Sequence, residues 1–435
     1  MAITKITTPE LFDFSSSNTA LQLPTGPTSG AGGRPSNPSI GEWRYNTDDH
    51  YVEYYDGATW FQIDTEAIPA FDPSENFNAV IYSGDGTNSN VITTVGFEPD
   101  MVFIKNITLA ESVIMADSLR NNFGSIIYTS LSNAQPSFSG YFTRTSVGFN
   151  INTNNLNANG TDNYVAWCWK AAGNANAFNV LEGGTVTTSS SAATAGITAG
   201  SITTGWNVSA NRDAGFSIVK YTGGGATKTV GHGLSNQPKL MFVKNLSRAH
   251  HGFGYYTDVN TSPNTDGETG YLFITDTATS SVGLSDGRNI WANGDQPPTT
   301  DLFSVSSAAG NDSTLYSSNF LNDNYIAYCF ANISEYCKID TYDGNGGSNP
   351  ISTSIGGDAG FKPSFVMIKR TNGASSWNII DNRRGDDCYA QINTNAAQGC
   401  MGTGAFILTS TGFTLNNSFG EWNATGGKYV YLAIA

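Results

Sequence analysis

One strand-like phrase is written three times in this chain: DNYVAWCWK from Asp162, DNYIAYCFA from Asp323 and GKYVYLAIA from Gly427. Repetition on this scale constrains the chain to build one domain three times. In a strand, alternate residues face opposite sides. Tyr164, Ala166 and Cys168 then share one face, and Val165, Trp167 and Trp169 the other. The second copy sets Tyr325, Ala327 and Cys329 against Ile326, Tyr328 and Phe330. The third sets Tyr429, Tyr431 and Ala433 against Val430, Leu432 and Ile434. One face is bulky; the other is mostly small past its leading tyrosine, with Tyr431 the exception. Both are apolar, which places the strand at the centre of a sheet covered on both sides. Cys168 and Cys329 occupy the slot of Ala433, so both are expected to be free and buried as small apolar groups.

A second phrase also recurs: GFEPDMVFIKN from Gly96, GLSNQPKLMFVKN from Gly233 and GFKPSFVMIKR from Gly360. Its proline precedes an apolar strand, where a missing N–H does no harm. Its lysine (Lys105, Lys244, Lys369) is expected where the strand emerges into water. Upstream of each copy, an alternating run ends in a Gly turn, a hairpin signal. Lys105 precedes Asp162 by 57 residues and Lys369 precedes Gly427 by 58, but Lys244 precedes Asp323 by 79. The excess reads as a loop insertion between Asn260 and Thr300. Copies of domain length are tandem domains rather than solenoid units. The expected fold class is all-β: an N-terminal arm and β-meander (1–75), then repeat domains over 76–171, 214–335 and 336–435, each an antiparallel β-sandwich. Residues 172–213, polar and almost uncharged, read as a linker or arm.

Composition agrees. Charged residues are only 13%, with 48 Gly and 52 aromatic residues among 435, against about a quarter charged in ordinary soluble proteins. No dozen-residue stretch carries a 3.6-residue apolar period. A net charge of −15 argues against nucleic acid and anionic membrane surfaces as partners. No apolar run reaches the length of a membrane span, and the N-terminal residues lack the apolar core of a signal peptide. Cys337, Cys388 and Cys400 show no metal-ligand spacing; a Cys388–Cys400 disulfide stays open.

The head begins with a Pro/Gly/Ser/Thr-rich arm over residues 1–40 and continues as GEWRYNTDDHYVEYYDGATWFQI from Gly41. That segment reads as three short strands, a unit too small to cover its own aromatics. Trp43, Tyr45, Tyr51, Tyr54, Tyr55 and Trp60 are therefore expected to serve self-association or docking.

The meander after its Pro/Gly arm resembles a module found near the N-termini of phage tail-fibre proteins. The repeats, through AGFSIVKYTGGGATKTVGHGLSNQPKLMFVKN (from Ala214), DNYIAYCFA, GFKPSFVMIKRT and YVAWCWKA, resemble a family of repeated β-domains in virion structural and fibre-like proteins of marine tailed phages. The resemblance implies a virion protein, assembled in the bacterial cytoplasm and exposed on the particle. It implies a homotrimer that meets other tail or capsid proteins through its N-terminal segment and a host-surface glycan or protein through its loops. The alternatives are a capsid-decorating or tail-accessory protein and, behind it, a glycan-degrading tailspike.

No catalytic, cofactor or metal site is expected. Asp266, Glu268 and Asp286 could supply the paired carboxylates of glycoside cleavage, but loop spacing fixes no geometry for them. The oxygen-rich loops Asp85–Asn90 and Asp343–Asn349 fit hairpin turns better than a calcium loop, which needs a distal glutamate. Asp117/Arg120 and Asp381/Arg384 read as loop-fixing ion pairs that the second copy lacks, and the RGD string at Arg384 as chance. For glycan contact the candidates are loop tryptophans that could stack on sugar rings: Trp291, inside the extra segment, then Trp206, Trp422 and Trp377. Deleting KYVYLAIA from the C-terminus is expected to abolish soluble expression. A truncated chain with the full-length yield would refute the third domain.

Overall fold

The computed structural model describes residues 23–48, 51–63, 71–136, 140–172, 178–179, 196–249, 253–256, 271–273, 297–307 and 317–435. They are all-β, apart from one 3-10 turn at Pro73–Glu75. The chain divides into two compact units, residues 1–70 and 71–435.

The second unit is built three times over. In the first repeat a five-stranded sheet runs in the order Phe77–Ser83, Asn163–Trp169, Met101–Asn106, Ile114–Asp117, Ile126–Tyr128. A smaller sheet of Phe142–Thr145, Gly148–Ile151 and Asn90–Ile92 covers one face. The third repeat has the same order: Cys337–Asp343, Lys428–Ile434, Phe365–Arg370, Asn378–Asp381, Cys388–Gln391 and a short sixth strand, beneath a three-stranded partner sheet. In the second repeat Phe216–Thr222, Asn324–Ala331, Pro238–Asn245, Phe253–Tyr256 and Tyr271–Phe273 repeat it, with Asn207–Asn211 added and Phe178–Asn179 parallel to it at the edge. The end of the expected linker is thus a strand of the second sheet.

In every copy the repeated phrase is the strand between the hairpin strand and the lysine strand, hydrogen-bonded antiparallel to both. Its small face packs on the smaller sheet and forms three separate sandwich cores. Its bulky face does something else. Val165, Trp167 and Trp169, Ile326, Tyr328 and Phe330, and Val430, Leu432 and Ile434 all lie in one further core shared by the three repeats. Trp169 is the common member: its ring lies 4.9 Å from Phe77 and 5.2 Å from Phe103 of its own sheet, 6.5 Å from Phe216 and 6.4 Å from Phe330 of the second, and 5.5 Å from Phe365 of the third. The three sandwiches are lobes of one body.

The leading tyrosine has a repeated task. It stacks on the tyrosine directly opposite in the hairpin strand, as Tyr82–Tyr164, Tyr221–Tyr325 and Tyr342–Tyr429, at 5.2, 5.1 and 5.1 Å between centroids. The first hydroxyl of each pair donates to the carbonyl of Ala158, Ser318 or Trp422, each at 2.7 Å. The second accepts from the backbone N–H of Gly160, Phe320 or Ala424. Between those two backbone sites sits a fully buried asparagine, Asn159, Asn319 or Asn423. Its amide ties down the hairpin turn, through Thr87, Gly224 and Gly347 respectively. The oxygen-rich loops are closed by these bonds: Asp85 accepts from Thr87 and from Asn159.

The lysines are not at solvated ends. Lys105, Lys244 and Lys369 are 0%, 5% and 0% exposed, because their side chains share the face of Phe103, Phe242 and Met367 and so border the shared core. Their ammonium groups donate instead to the carbonyls of Glu111, Ser132 and Ser375. The Lys244 bond joins the second lobe to the first. Burial lowers the pKa of both Lys105 and Lys244 to about 8. Between that value and the ordinary one of about 10.4, the unfolded chain binds more protons than the folded one, so stability rises with pH. The thermal midpoint is expected to climb from about pH 7.5 to about pH 9.5 and to climb less in Lys105→Met. A flat profile would overturn this reading of the two lysines.

Candidate functional site

Two of the seams between lobes each hold a buried ion pair. In the first, Asp117 and Arg120 are both buried, with Arg120 Nε 2.5 Å from Asp117 Oδ2. Asp117 Oδ1 accepts from the N–H groups of Leu119 and Arg120, fixing the turn after the strand. The Tyr328 hydroxyl of the second lobe donates to Asp117 Oδ2 at 2.5 Å, and Arg120 Nη2 approaches the same hydroxyl at 3.4 Å. Burial pushes the Tyr328 phenol well above its ordinary range, so it stays a neutral donor.

The third lobe repeats this against the first. Arg384 Nε lies 2.7 Å from Asp381 Oδ2, both side chains fully buried. The Trp167 indole N–H donates to the same oxygen at 2.9 Å, and the Arg384 guanidinium lies 5.2 Å from the Trp167 ring. The ion pairs expected to fix loops do so, and each also receives an aromatic donor from the next lobe. The seam between the second and third lobes differs on both sides. Tyr256 takes the register position of Asp117, opposite Leu240 as Asp117 is opposite Met101. The third closing strand carries Leu432 where the others carry Trp167 and Tyr328. That seam is apolar instead, with Phe242 5.2 Å from Trp377. The absent pair and the absent donor go together, since either alone would leave a buried polar group unpartnered.

This placement decides several candidates. Trp377 and Trp422 are each 1% exposed, one in that seam and the other in the third sandwich core against Phe419, Tyr389 and Phe406. Neither offers a ring face to a sugar, which corrects their assignment as contact residues; a tryptophan flanked by polar residues in sequence can still turn inward. Trp206 is half-buried, packs on the second sandwich core and donates to the Gly231 carbonyl at 3.0 Å. Trp291 lies outside the described residues, as do Asp266, Glu268 and Asp286. The RGD string is internal: Arg384 serves the ion pair and Asp386 accepts from Leu408 N–H. His232 is buried, its Nδ1 accepting from Leu234 N–H, and burial lowers its pKa to about 4. Among the described residues no group of three or more His, Cys, Asp or Glu could hold a metal ion. Cys388 and Cys400 form a disulfide between directly paired strands, while Cys168, Cys329 and Cys337 are free and buried.

The first unit is the expected meander, Trp43–Asn46, Tyr51–Tyr55 and Trp60–Ile63, with Thr25–Gly26 of the arm added in parallel. Its two faces are unlike. On one, Arg44, Asn46 and Glu53 are buried, with Glu53 2.6 Å from Arg34 of the arm and 3.6 Å from Arg44. Trp60 belongs to this face, under the Arg44 guanidinium, and strand alternation places Tyr55 here too. On the other, Trp43, Tyr54 and Phe61 stand directly opposite one another across three strands, with ring centroids 6.1 and 5.7 Å apart. Tyr45 shares that face. Trp43 is 50% and Phe61 44% exposed. The aromatic set expected to act together is thus divided. Phe61, expected among the uncovered aromatics of the meander, belongs to the open face.

Residues 72–197 and 187–435 match a family described as a domain of unknown function, DUF7483. The first match holds the first repeat and the second match the other two. No curated protein and no solved structure matches the chain.

Tyr328→Phe is expected to cost about 1.5–3 kcal/mol, the range for a hydrogen bond to a charged group, and Asp117→Ala about 3–5 kcal/mol, because it strands a buried guanidinium. In a double-mutant cycle by denaturant unfolding, Tyr328→Phe should cost far less in the Asp117→Ala background. Strict additivity would show that the seam bond contributes nothing to stability.

Proposed function

We propose that this chain, which belongs to the DUF7483 family, is a structural protein of a tailed-bacteriophage particle, a tail fibre that carries adhesion to the host surface. The observation that carries the reading is the division of labour between the two units. The first covers one sheet face with its own arm and leaves an aromatic face open for attachment. The second is a three-lobed body in which the described ion pairs of the seams serve structure. Peripheral loops on such a body are suited to surface contact, and many weak contacts add by multivalency. The resemblance of the meander to tail-fibre modules supports the same reading. In it the chain is a homotrimer joined through the head, and the particle is its place of action.

One observation favours a second reading, a capsid-decorating or tail-accessory protein. The body completes its three-way core within one chain and needs no neighbouring chain to cover its sheets. Such a protein would use its aromatic head to grip another virion protein and would be monomeric in isolation.

Light scattering separates the two. The fibre reading expects purified protein at three times the 46.2 kDa chain mass, reduced to one chain by Trp43→Ser combined with Phe61→Ser. A monomeric full-length protein would exclude the trimeric fibre and favour the accessory role.

A further inference from the structure

The two polar seams are built on one plan, yet they differ beside the ion pair. In both, the arginine of the ion pair points Nη1 towards a glutamine further along its own lobe: Arg120 towards Gln135 at 3.5 Å and Arg384 towards Gln398 at 3.4 Å. In the seam between the third and first lobes, Arg383 spans the gap beside them. It donates from Nε to the Ala79 carbonyl at 3.0 Å and from Nη2 to Asn78 Oδ1 at 3.2 Å. The corresponding residue in the seam between the first and second lobes is Leu119, which turns into the shared core. That seam also holds a cleft of about 320 Å³.

Its lining is distinctive for so acidic a chain. Arg120, Asn121, Gln135, Lys220, Ser247 and Asn324 all border it, and none of its lining residues is acidic. Arg120 is 2% exposed, and Nη1 has only the long contact to Gln135, beyond the usual hydrogen-bond range. Lys220 has no acidic partner among the described residues; the first lobe carries Ile81 at the equivalent place, just before the stacked tyrosine. Asn121 adopts a left-handed backbone, φ 53°, where the third lobe uses Gly385 at φ 92°. Glycine takes that conformation at no steric cost and asparagine adopts it more readily than most residues, so this turn can carry an amide side chain beside the cleft.

We propose that this cleft binds one residue of an acidic saccharide, with the sugar carboxylate set against Lys220 and Arg120 Nη1 and the ring hydroxyls against Asn121, Gln135, Ser247 and Asn324. Carboxamides and a hydroxyl both donate and accept, as a polyhydroxylated ring requires. The volume is at the small end of ligand pockets and suits a single sugar ring. Lys220 supplies the net positive charge that a carboxylate selects, and Arg120, whose charge Asp117 already balances, adds an Nη1 donor. This deepens the adhesion reading and rests on it for biological meaning, but the binding chemistry is testable apart from it.

The probe is D-glucuronate, titrated calorimetrically into the full-length protein, with D-glucose and sodium sulfate as controls. The expected result is saturable glucuronate binding, at least tenfold weaker binding of glucose, and at least a tenfold loss in Lys220→Glu at an unchanged melting temperature. Gln135→Ala, with no change of charge, should weaken binding severalfold. Three results would each overturn the proposal: no saturable glucuronate binding, binding that survives Lys220→Glu, or sulfate competing as strongly as glucuronate (an anion site without sugar recognition). Binding of the same proteins to immobilised polysaccharides separates this proposal from adhesion. Capture by neutral glycans that survives Lys220→Glu would remove the cleft and leave adhesion standing. Glucuronate binding without capture by any surface glycan would leave the cleft and remove adhesion.

Discussion

Everything in the body depends on one strand having to satisfy two cores at once. A central strand buried on both faces usually meets a layer of structure on each side. Here one layer is the lobe's own small sheet, and the other is the remaining two lobes. The bulky residues Trp167, Trp169, Tyr328, Phe330, Leu432 and Ile434 therefore cannot belong to any single sandwich. Trp169, in ring contact with residues of all three lobes, makes the lobes mutually dependent. A lobe by itself would leave a large apolar sheet face in water, the kind of surface that drives association. The chain meets that requirement internally by carrying three copies.

Apolar packing alone would not fix how the lobes are rotated against one another. The buried Asp–Arg pairs supply directional contacts. Each is costly to bury and is repaid only with good geometry and satisfied hydrogen bonds. Asp117 and Asp381 meet this condition by accepting two backbone N–H groups, a guanidinium and an aromatic donor from the adjacent lobe. The third seam, with Tyr256 and Leu432 in the matching positions, has dropped both sides of the arrangement and relies on shape. Of the two polar seams, one is bridged by Arg383 and the other borders the cleft beside Arg120.

Much of the repeat was legible from local pattern. The two-residue period of the closing phrase gave its central position, and the recurring Tyr, Gly-turn and Pro signals gave the paired strands, though the second sheet begins inside the expected linker. The arm and meander were readable from Pro and Gly content and from aromatic spacing. The lysines were misjudged because position in a strand does not reveal what covers its end; Lys244 meets Ser132, 112 residues away in sequence. The tryptophans misled for a related reason. Trp377 stands among serines and asparagine in sequence, but those residues turn to backbone partners and to Glu421, and the ring is left to face Phe242.

Local chemistry in the sequence determined three all-β repeats, their hairpins, the two-faced closing strand and the small-residue slot shared by Cys168, Cys329 and Ala433. Those follow from periodicity and turn preference, which act over a few residues. Tertiary structure alone decided that the bulky faces meet one another, that Asp117 answers Tyr328 and Asp381 answers Trp167, and that a polar cleft lies beside Arg120 between the first two lobes. These are contacts between residues far apart in sequence, 211 positions for Asp117 and Tyr328 and 214 for Asp381 and Trp167. Their energy comes from removing paired surfaces from water, and only the packed lobes specify which surfaces are paired.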